Sequence, residues 1–189
     1  MDPRDYLNLM HLAERLKMDT RHSWMSNGRR ESVAEHSWRL TLMAYFLKDE
    51  FPEADISRIM LMAAFHDIGE AFTGDIPAFN KTDGDRQEEN RQIRRWLDTL
   101  PEVYRAELGA LFDEMDAMQT LEARLCKALD KLEVLIQHNE ADIFTWLPLE
   151  RDLNLVYGDQ YVAFNDYLKT LRREILLDTQ EKLRADEKK

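Results

Sequence analysis

The chain has 189 residues, a formal net charge of −11 and a sequence pI near 5.0. With 44% hydrophobic and 33% charged residues but only 6 Gly and 5 Pro, it has the composition of one globular, helix-rich domain. This acidic balance argues against a protein that wraps a nucleic acid polymer, because phosphates require clustered Lys and Arg. An anionic ligand would need local positive charge, from a metal ion or from the basic cluster Arg21, Arg29 and Arg30.

Cys126 is the single cysteine of the sequence, so it cannot form an internal disulfide. It lies in an apolar repeat, where a buried, inert thiol is expected more than a nucleophile. No N-terminal apolar segment resembles a signal peptide, and no run reaches membrane-spanning length. We therefore expect a cytoplasmic protein with no membrane partner.

The N-terminal part of the chain predicts two helices separated by a loop. Residues 5–18 place apolar side chains at helical spacing, and the polar residues 19–30 predict a loop after them. Ser32 and Glu35 have the spacing of a capping box, in which each side chain satisfies a free amide at a helix start. A second helix is expected to begin there and to end before Phe51, which precedes a proline.

Two of the predicted helices direct a histidine toward the interior. His36 lies on the apolar stripe of the second helix. A third helix, with Asp55 as its cap, carries His66 three residues after Ala63 on its apolar face. Gly74 then marks a turn, and residues 80–89 are polar enough to predict an exposed loop.

The second half of the chain predicts a central helix among amphipathic ones. The later helices are expected at about residues 86–100, 102–115, 121–137 and 160–178. The helix at 121–137 is apolar on nearly all sides and carries Asp130 in its middle. Residues 141–159 are interpreted as irregular, and residues 179–189 as a frayed tail.

Three inward-facing helices thus carry His36, the adjacent pair His66 and Asp67, and Asp130. Each has an ordinary explanation, since a lone inward histidine is more often bonded to a carbonyl and a His-Asp pair is not rare by chance. Asp130 still requires a partner, because an unpaired carboxylate in a dry core loses its hydration. One divalent cation would resolve this, since two imidazoles and two carboxylates suit Mn, Co, Zn, Fe or Mg.

The order of these residues resembles the H…HD…D signature of the HD-domain metal-dependent phosphohydrolases. Within that superfamily, the segments RHSWMSNGRRESVAEHS, HDIGEAFTGDIP and ALDKLE are similar to the 5′-deoxynucleotidase subgroup, over about residues 7–137. The resemblance implies an all-α HD-domain bundle of about seven helices with a buried metal site. It further implies a single domain over residues 1–189, with a core at about 5–140, and a homodimer.

The activity implied by the resemblance is removal of the 5′-phosphate from a (deoxy)ribonucleoside monophosphate. Glu70, four residues after His66, would stand over the metal to orient water or to protonate the leaving oxygen, although a solvated helix-end carboxylate is the plain alternative. Asp75 matches a family aspartate of the substrate pocket and would accept a hydrogen bond from a sugar hydroxyl. It equally suits a turn after Gly74.

Further substrate contacts follow from the same resemblance. Arg21 matches a family arginine fifteen residues before the first metal histidine, and its guanidinium fork suits phosphate. Lys131, beside Asp130, either reaches the phosphate or lies on the surface. In the family a tryptophan directly follows this arginine, whereas here two residues intervene before Trp24, which is predicted to contact the sugar.

Two other functions compete with this one. The same metal centre would serve a nucleoside triphosphate or a cyclic or bridged nucleotide, although polyphosphates require more basic residues than the few predicted near the site. A non-catalytic helical module would use the histidines and Asp130 only as a brace, leaving Glu70 and Asp75 without a role. For a homodimer, exposed apolar side chains are expected at Trp96, Trp146 and Phe144.

Overall fold

The computed structural model describes residues 1–188, and this part of the chain is built almost wholly of helices. A two-stranded hairpin and one short 3-10 helix accompany eight α-helices of nine residues or more and two of four residues. In chain order the elements are α1 (Pro3–Met18), β1 (Thr20–Trp24), β2 (Arg30–Ser32), α2 (Val33–Phe46), α3 (Ile56–Phe65), α4 (Glu70–Thr73), α5 (Asp83–Leu97), α6 (Glu102–Ala117), α7 (Leu121–Glu140), the 3-10 helix Ile143–Thr145, α8 (Pro148–Val156), α9 (Asp159–Val162) and α10 (Asp166–Asp186). The all-α prediction is confirmed.

Helix α7 is the central helix, as its apolar sequence predicted. It packs against α2, α3, α6, α9 and α10, and eleven of its twenty residues are buried. Leu125, Leu129 and Leu132 are at most 1% exposed, and each buried leucine contributes about 1.5–3 kcal/mol relative to an exposed one. Burial raises the pKa of the Cys126 thiol on the same helix to about 12, as expected of an inert thiol.

Helices α2 and α3 pack closely on each other and on α7. The capping box that starts α2 is present: Glu35 N donates to Ser32 Oγ at 3.2 Å, and Ser32 N donates to Glu35 Oε2 at 2.9 Å. Asp55 caps α3 by accepting from Arg58 N at 3.0 Å. These caps fix where each helix begins, and therefore which side chains face α7.

The loop predicted at residues 19–30 is wrong, because most of it forms the β1–β2 hairpin. Thr20 pairs with Ser32 and Trp24 with Arg30 in an antiparallel ladder that contains a register shift. Gly28 adopts a φ of 82° in the connecting turn, where its amide donates to Met25 O at 3.0 Å. Strands of five and three residues are too short for alternation of polar and apolar side chains to reveal them.

Three other boundaries differ from the prediction. With Thr82 as its cap, α5 begins at Asp83, three residues earlier than expected, so the predicted exposed loop is partly helical. Residues 141–159, interpreted as irregular, contain the 3-10 helix and α8, whose amphipathic nine residues begin at Pro148. Helix α10 continues through the predicted frayed tail to Asp186, and Lys189 of that tail lies outside the described residues. Among residues 1–188, none of the helices combines the length and apolar character needed to cross a bilayer.

Candidate active site

The structure brings all four predicted metal ligands together. Helix α2 supplies His36, the end of α3 supplies His66 and Asp67, and α7 supplies Asp130. His66 Nε2 lies 3.3 Å from His36 Nε2 and 3.0 Å from Asp67 Oδ2. Asp130 Oδ1 lies 3.5 Å from His36 Nε2. Donor atoms from residues as far as 94 positions apart in the sequence therefore lie close together.

The two histidines orient their rings so that the Nε2 atoms face each other. His36 Nδ1 donates to Glu133 Oε2, and His66 Nδ1 donates to Ala63 O at 2.9 Å. With the Nδ1 protons committed, the two Nε2 atoms face each other at 3.3 Å, a separation that requires a positive charge between them, either a proton or a metal cation. Burial and Arg21 lower the pKa of His36, but Glu133 and Asp130 raise it to about 9, so the cluster attracts positive charge. This donor set fits a divalent cation.

The two aspartates of the cluster are held ionised. Burial by itself would raise the pKa of Asp67, but His66, His36 and Arg21 hold it well below its usual range. Lys127 Nζ and Lys131 Nζ each lie 3.1 Å from Asp130 Oδ2. These lysines, against the effect of burial, hold the pKa of Asp130 well below its usual range, and they leave Oδ1 turned toward His36.

Glu70 lies beside the cluster and is 5% exposed. After His66 the chain turns tightly instead of continuing α3, and Glu70 N donates to Asp67 O at 3.0 Å at the start of α4. Among residues 1–188, Glu70 Oε2 has no hydrogen-bond partner, and Lys81 Nζ lies 3.9 Å from Oε1. Burial, Asp67 and Asp75 raise the pKa of Glu70 to about 10, so this carboxyl is a proton donor at neutral pH.

Arg21, on strand β1, joins the cluster to a second buried acid. Its Nη1 donates to Asp67 Oδ2 at 3.3 Å, and its Nε lies 3.3 Å from Glu31 Oε2. Asp75 also lines the cavity and follows Gly74, whose φ of 77° shapes the turn, and Asp75 N donates to Asp19 Oδ2 at 3.1 Å. Burial raises the pKa of Asp75, and Arg21 opposes that rise.

A cavity of about 620 Å³ opens above the cluster. Six predicted site residues line it: Arg21, Asp67, Glu70, Asp75, Asp130 and Lys131. Trp24 is not among the lining residues, and its ring is instead covered by the Arg30 guanidinium at 4.3 Å. His22, which directly follows Arg21, lines the cavity.

Several lining residues were missed by the sequence analysis. The prediction of few basic residues near the site is wrong, because five line the cavity: Arg21, Lys81, Arg86, Lys127 and Lys131. Lys127 was within reach of sequence reasoning, since it lies one helical turn before Asp130. Helix α8 supplies Glu150, whose Oε1 lies 3.1 Å from His22 Nε2, and the His22 ring meets Phe79 edge to face at 5.7 Å. This side of the cavity was not predicted, because the segment that forms α8 was interpreted as irregular.

The chain belongs to the HD domain family, since the family model matches residues 13–172. Among its relatives, the human protein named 5′-deoxynucleotidase HDDC2 is 34% identical over 142 residues, which cover 72% of this chain and 68% of the relative. The protein of the same name from Dictyostelium discoideum is 30% identical over 146 residues, covering 72% and 77% of the two chains. The resemblance stated from the sequence is thereby confirmed.

Solved structures give the same assignment of the fold. A crystal structure titled "Predicted metal-dependent phosphohydrolase", from Magnetospirillum magnetotacticum MS-1, has a TM-score of 0.69 and 29% identity. The alignment covers 90% of this chain and 92% of that one. A conserved hypothetical protein from Pyrococcus furiosus has a TM-score of 0.69 and 28% identity, with 93% and 99% of the chains covered.

Proposed function

We propose that this protein is a metal-dependent phosphohydrolase that removes the 5′-phosphate from nucleoside monophosphates, foremost deoxyribonucleoside monophosphates. The observation that carries the proposal is the facing pair of Nε2 atoms of His36 and His66, 3.3 Å apart beside Asp67 and Asp130 below a cavity with five basic side chains. Membership of the HD domain family and the relatives named 5′-deoxynucleotidase support it. In this proposal His36, His66, Asp67 and Asp130 hold one divalent metal ion, Mn, Co, Zn, Fe or Mg.

The basic residues of the cavity bind the phosphate in this proposal. A divalent cation, when bound, polarises a phosphate oxygen and makes a coordinated water a better nucleophile. Arg21 offers a planar fork beside Asp67, and Lys127 and Lys131 flank Asp130 on α7. These three basic side chains, beside Asp67 and Asp130, orient the dianionic phosphate and offset the negative charge that develops in the transition state.

Glu70 and Asp75 act on the ester oxygen and the sugar. Burial and the neighbouring Asp67 and Asp75 raise the pKa of Glu70, and no residue among 1–188 pairs with its Oε2, so it can donate a proton to the leaving 5′-oxygen. Asp75 borders the same cavity and can accept a hydrogen bond from a sugar hydroxyl. Next to Arg21, the His22 ring lines the cavity, and Glu150 and Phe79 hold this ring in place. In this proposal His22 contacts the sugar, the role that was predicted for Trp24.

We further propose a cytoplasmic homodimer. The prediction that Trp146 is an exposed contact is wrong, since it is 6% exposed and its Nε1 donates to His138 O at 3.0 Å. An apolar stripe on α2 is exposed instead, at Trp38, Leu42, Tyr45 and Phe46, and Phe144 is 78% exposed. A contiguous exposed apolar stripe is typical of an interaction surface. Light scattering on the purified protein would measure the mass in solution.

The five basic residues also favour a second candidate substrate, a nucleotide with more than one phosphate. The test is a panel of ribo- and deoxyribonucleoside mono-, di- and triphosphates and cyclic nucleotides, with each product identified by chromatography. Release of inorganic phosphate mainly from deoxyribonucleoside 5′-monophosphates supports the proposal. Preferred cleavage of triphosphates or cyclic nucleotides would overturn it in favour of the second candidate.

A further inference from the structure

We propose that Glu133 is a positioning residue of the metal centre, which holds His36 with its Nε2 directed at the cation while Arg39 holds the carboxylate in place. Glu133 lies on α7 three residues after Asp130, so one helix turn carries both a predicted ligand and the group that orients another. The inference rests on the metal centre of the proposed function. It adds a residue pair that makes no contact with the cavity.

The contact between Glu133 and His36 is completely buried. Both residues are 0% exposed, and His36 Nδ1 donates to Glu133 Oε2. A neutral imidazole carries its one N–H on the nitrogen that has an acceptor, so the carboxylate fixes the proton on Nδ1 and the lone pair on Nε2. The bond also prevents the ring from turning over, because the reversed ring would place a carbon against Oε2.

Arg39 supplies the counter charge that this buried carboxylate needs. Its Nε donates to Glu133 Oε1 at 2.7 Å, so each carboxylate oxygen has one donor. Arg39 is in turn held by α7, through Gln137 Oε1 and through Glu140 Oε2 at 2.6 Å. A buried charge is tolerated only when it is paired and hydrogen-bonded, and the Glu133 carboxylate meets both conditions through Arg39 and His36.

The same carboxylate is not part of a second cation site. Glu31, His36 and Glu133 do bring donor atoms within 4.8 Å of one another. Two arginines already pair with these carboxylates: Arg21 Nε lies 3.3 Å from Glu31 Oε2, and Arg39 contacts Glu133. The group therefore behaves as a charged support behind His36.

The two histidines differ in this support. His66 Nδ1 donates to a neutral acceptor, Ala63 O, whereas His36 Nδ1 donates to a carboxylate. A carboxylate partner makes an imidazole a stronger base and a stronger metal ligand, and removal of such a partner typically weakens metal binding by about 10–100-fold. His36 is therefore the histidine whose affinity for the cation depends on a charged neighbour.

The experiment measures metal affinity directly, with Mn²⁺, Co²⁺ and Zn²⁺ titrated into metal-stripped protein against a chromophoric chelator. Glu133→Gln keeps the shape and one acceptor oxygen but removes the charge, so we expect about 10–100-fold weaker binding. Glu107→Gln is the control, because Glu107 is an exposed carboxylate on α6, outside the group around His36, and its loss should leave the affinity unchanged. A folded Glu133→Gln protein with wild-type affinity would overturn the inference.

A second variant covers the case in which Glu133→Gln does not fold. Glu133→Asp retains the charge but withdraws the carboxylate from Nδ1, so a smaller loss of affinity and an altered visible spectrum of the Co²⁺ complex are expected. Unchanged affinity and spectrum would count against the inference. Phosphate release is recorded separately: a wild-type protein that binds metal but releases no phosphate contradicts the proposed function alone, and one that binds no metal contradicts both.

Discussion

Arg21 bridges Asp67 and Glu31, with its Nη1 3.3 Å from Asp67 Oδ2 and its Nε 3.3 Å from Glu31 Oε2. One guanidinium thus joins a predicted metal ligand on one side to a buried acid on the other. Its side chain is 11% exposed and lines the cavity, so a substrate phosphate bound above Asp67 would contact the guanidinium. The fork is held in place before any ligand arrives, which lowers the entropic cost of binding.

Arg21→Lys should therefore impair catalysis although it preserves charge. A lysine cannot contact Asp67, Glu31 and phosphate with one planar group, and loss of a hydrogen bond to a charged group costs about 1.5–3 kcal/mol. We expect kcat/KM to fall by about 10–100-fold, at about 1.4 kcal/mol per tenfold. Arg29→Lys is the control, because Arg29 lies on the same hairpin but pairs with Glu35 away from the cavity. Equal kinetics for Arg21→Lys and wild type would contradict the assignment.

Glu70→Gln tests the proton-donor role and separates an enzyme from a non-catalytic module. The amide keeps the size of the side chain but cannot protonate a leaving oxygen, so we expect kcat to fall by about 10²–10⁴-fold. Metal content and melting temperature should stay near the wild-type values. Glu88→Gln, on the outer part of α5, serves as the control. Unchanged phosphate release from a metal-loaded Glu70→Gln protein would support the helical module.

The turn that delivers Glu70 depends on a glycine. A Cβ added at Gly69 would lie 2.6 Å from Glu89 Cγ and 3.0 Å from Ile93 Cδ1, so an alanine there would push α5 away from α4. We expect Gly69→Ala to lower the free energy of unfolding by about 1–3 kcal/mol. Gly109→Ala is the matched control, since no atom lies within 4 Å of its added Cβ and alanine favours the α6 helix. Urea titration should show the control at or above wild-type stability, and an equally stable Gly69→Ala protein would refute the close approach.

Acid should destabilise the protein partly through Glu150. Burial would raise the pKa of this carboxyl, but hydrogen bonds from His22 and from Leu147 N lower it below its usual value. A lowered pKa in the folded state means that the stabilisation is complete above the unfolded pKa of about 4.3 and is lost as the pH falls through the folded value.

The measurement is the melting temperature of wild type and Glu150→Gln between pH 7 and pH 3. Glu150→Gln should melt below wild type at pH 7, and the difference should shrink as the pH falls below about 4.3. A difference that is constant over this range would show that the charge of Glu150 contributes nothing. The helical signal at each pH would establish that both proteins are folded before heating.

The parts of the fold that the sequence predicted are those with a long periodic signal or a cap. Helix α7 and the capping box of α2 were recognised this way, and they place His36 and Asp130 face to face. The hairpin and α8 were not recognised, because each is short and gains its stability from packing against the rest of the chain. Contacts such as His22 with Glu150 join residues 128 positions apart, and no local pattern encodes them.

Phosphate release by metal-stripped protein tests whether His36, His66, Asp67 and Asp130 form a catalytic metal centre. The substrate is one deoxyribonucleoside 5′-monophosphate, and Mn, Co, Zn, Fe or Mg is added back to wild type and to Asp67→Ala. We expect no release without metal, release by wild type with at least one of these metals, and none by Asp67→Ala. No release from wild type with any metal, or equal release by Asp67→Ala, would contradict this expectation.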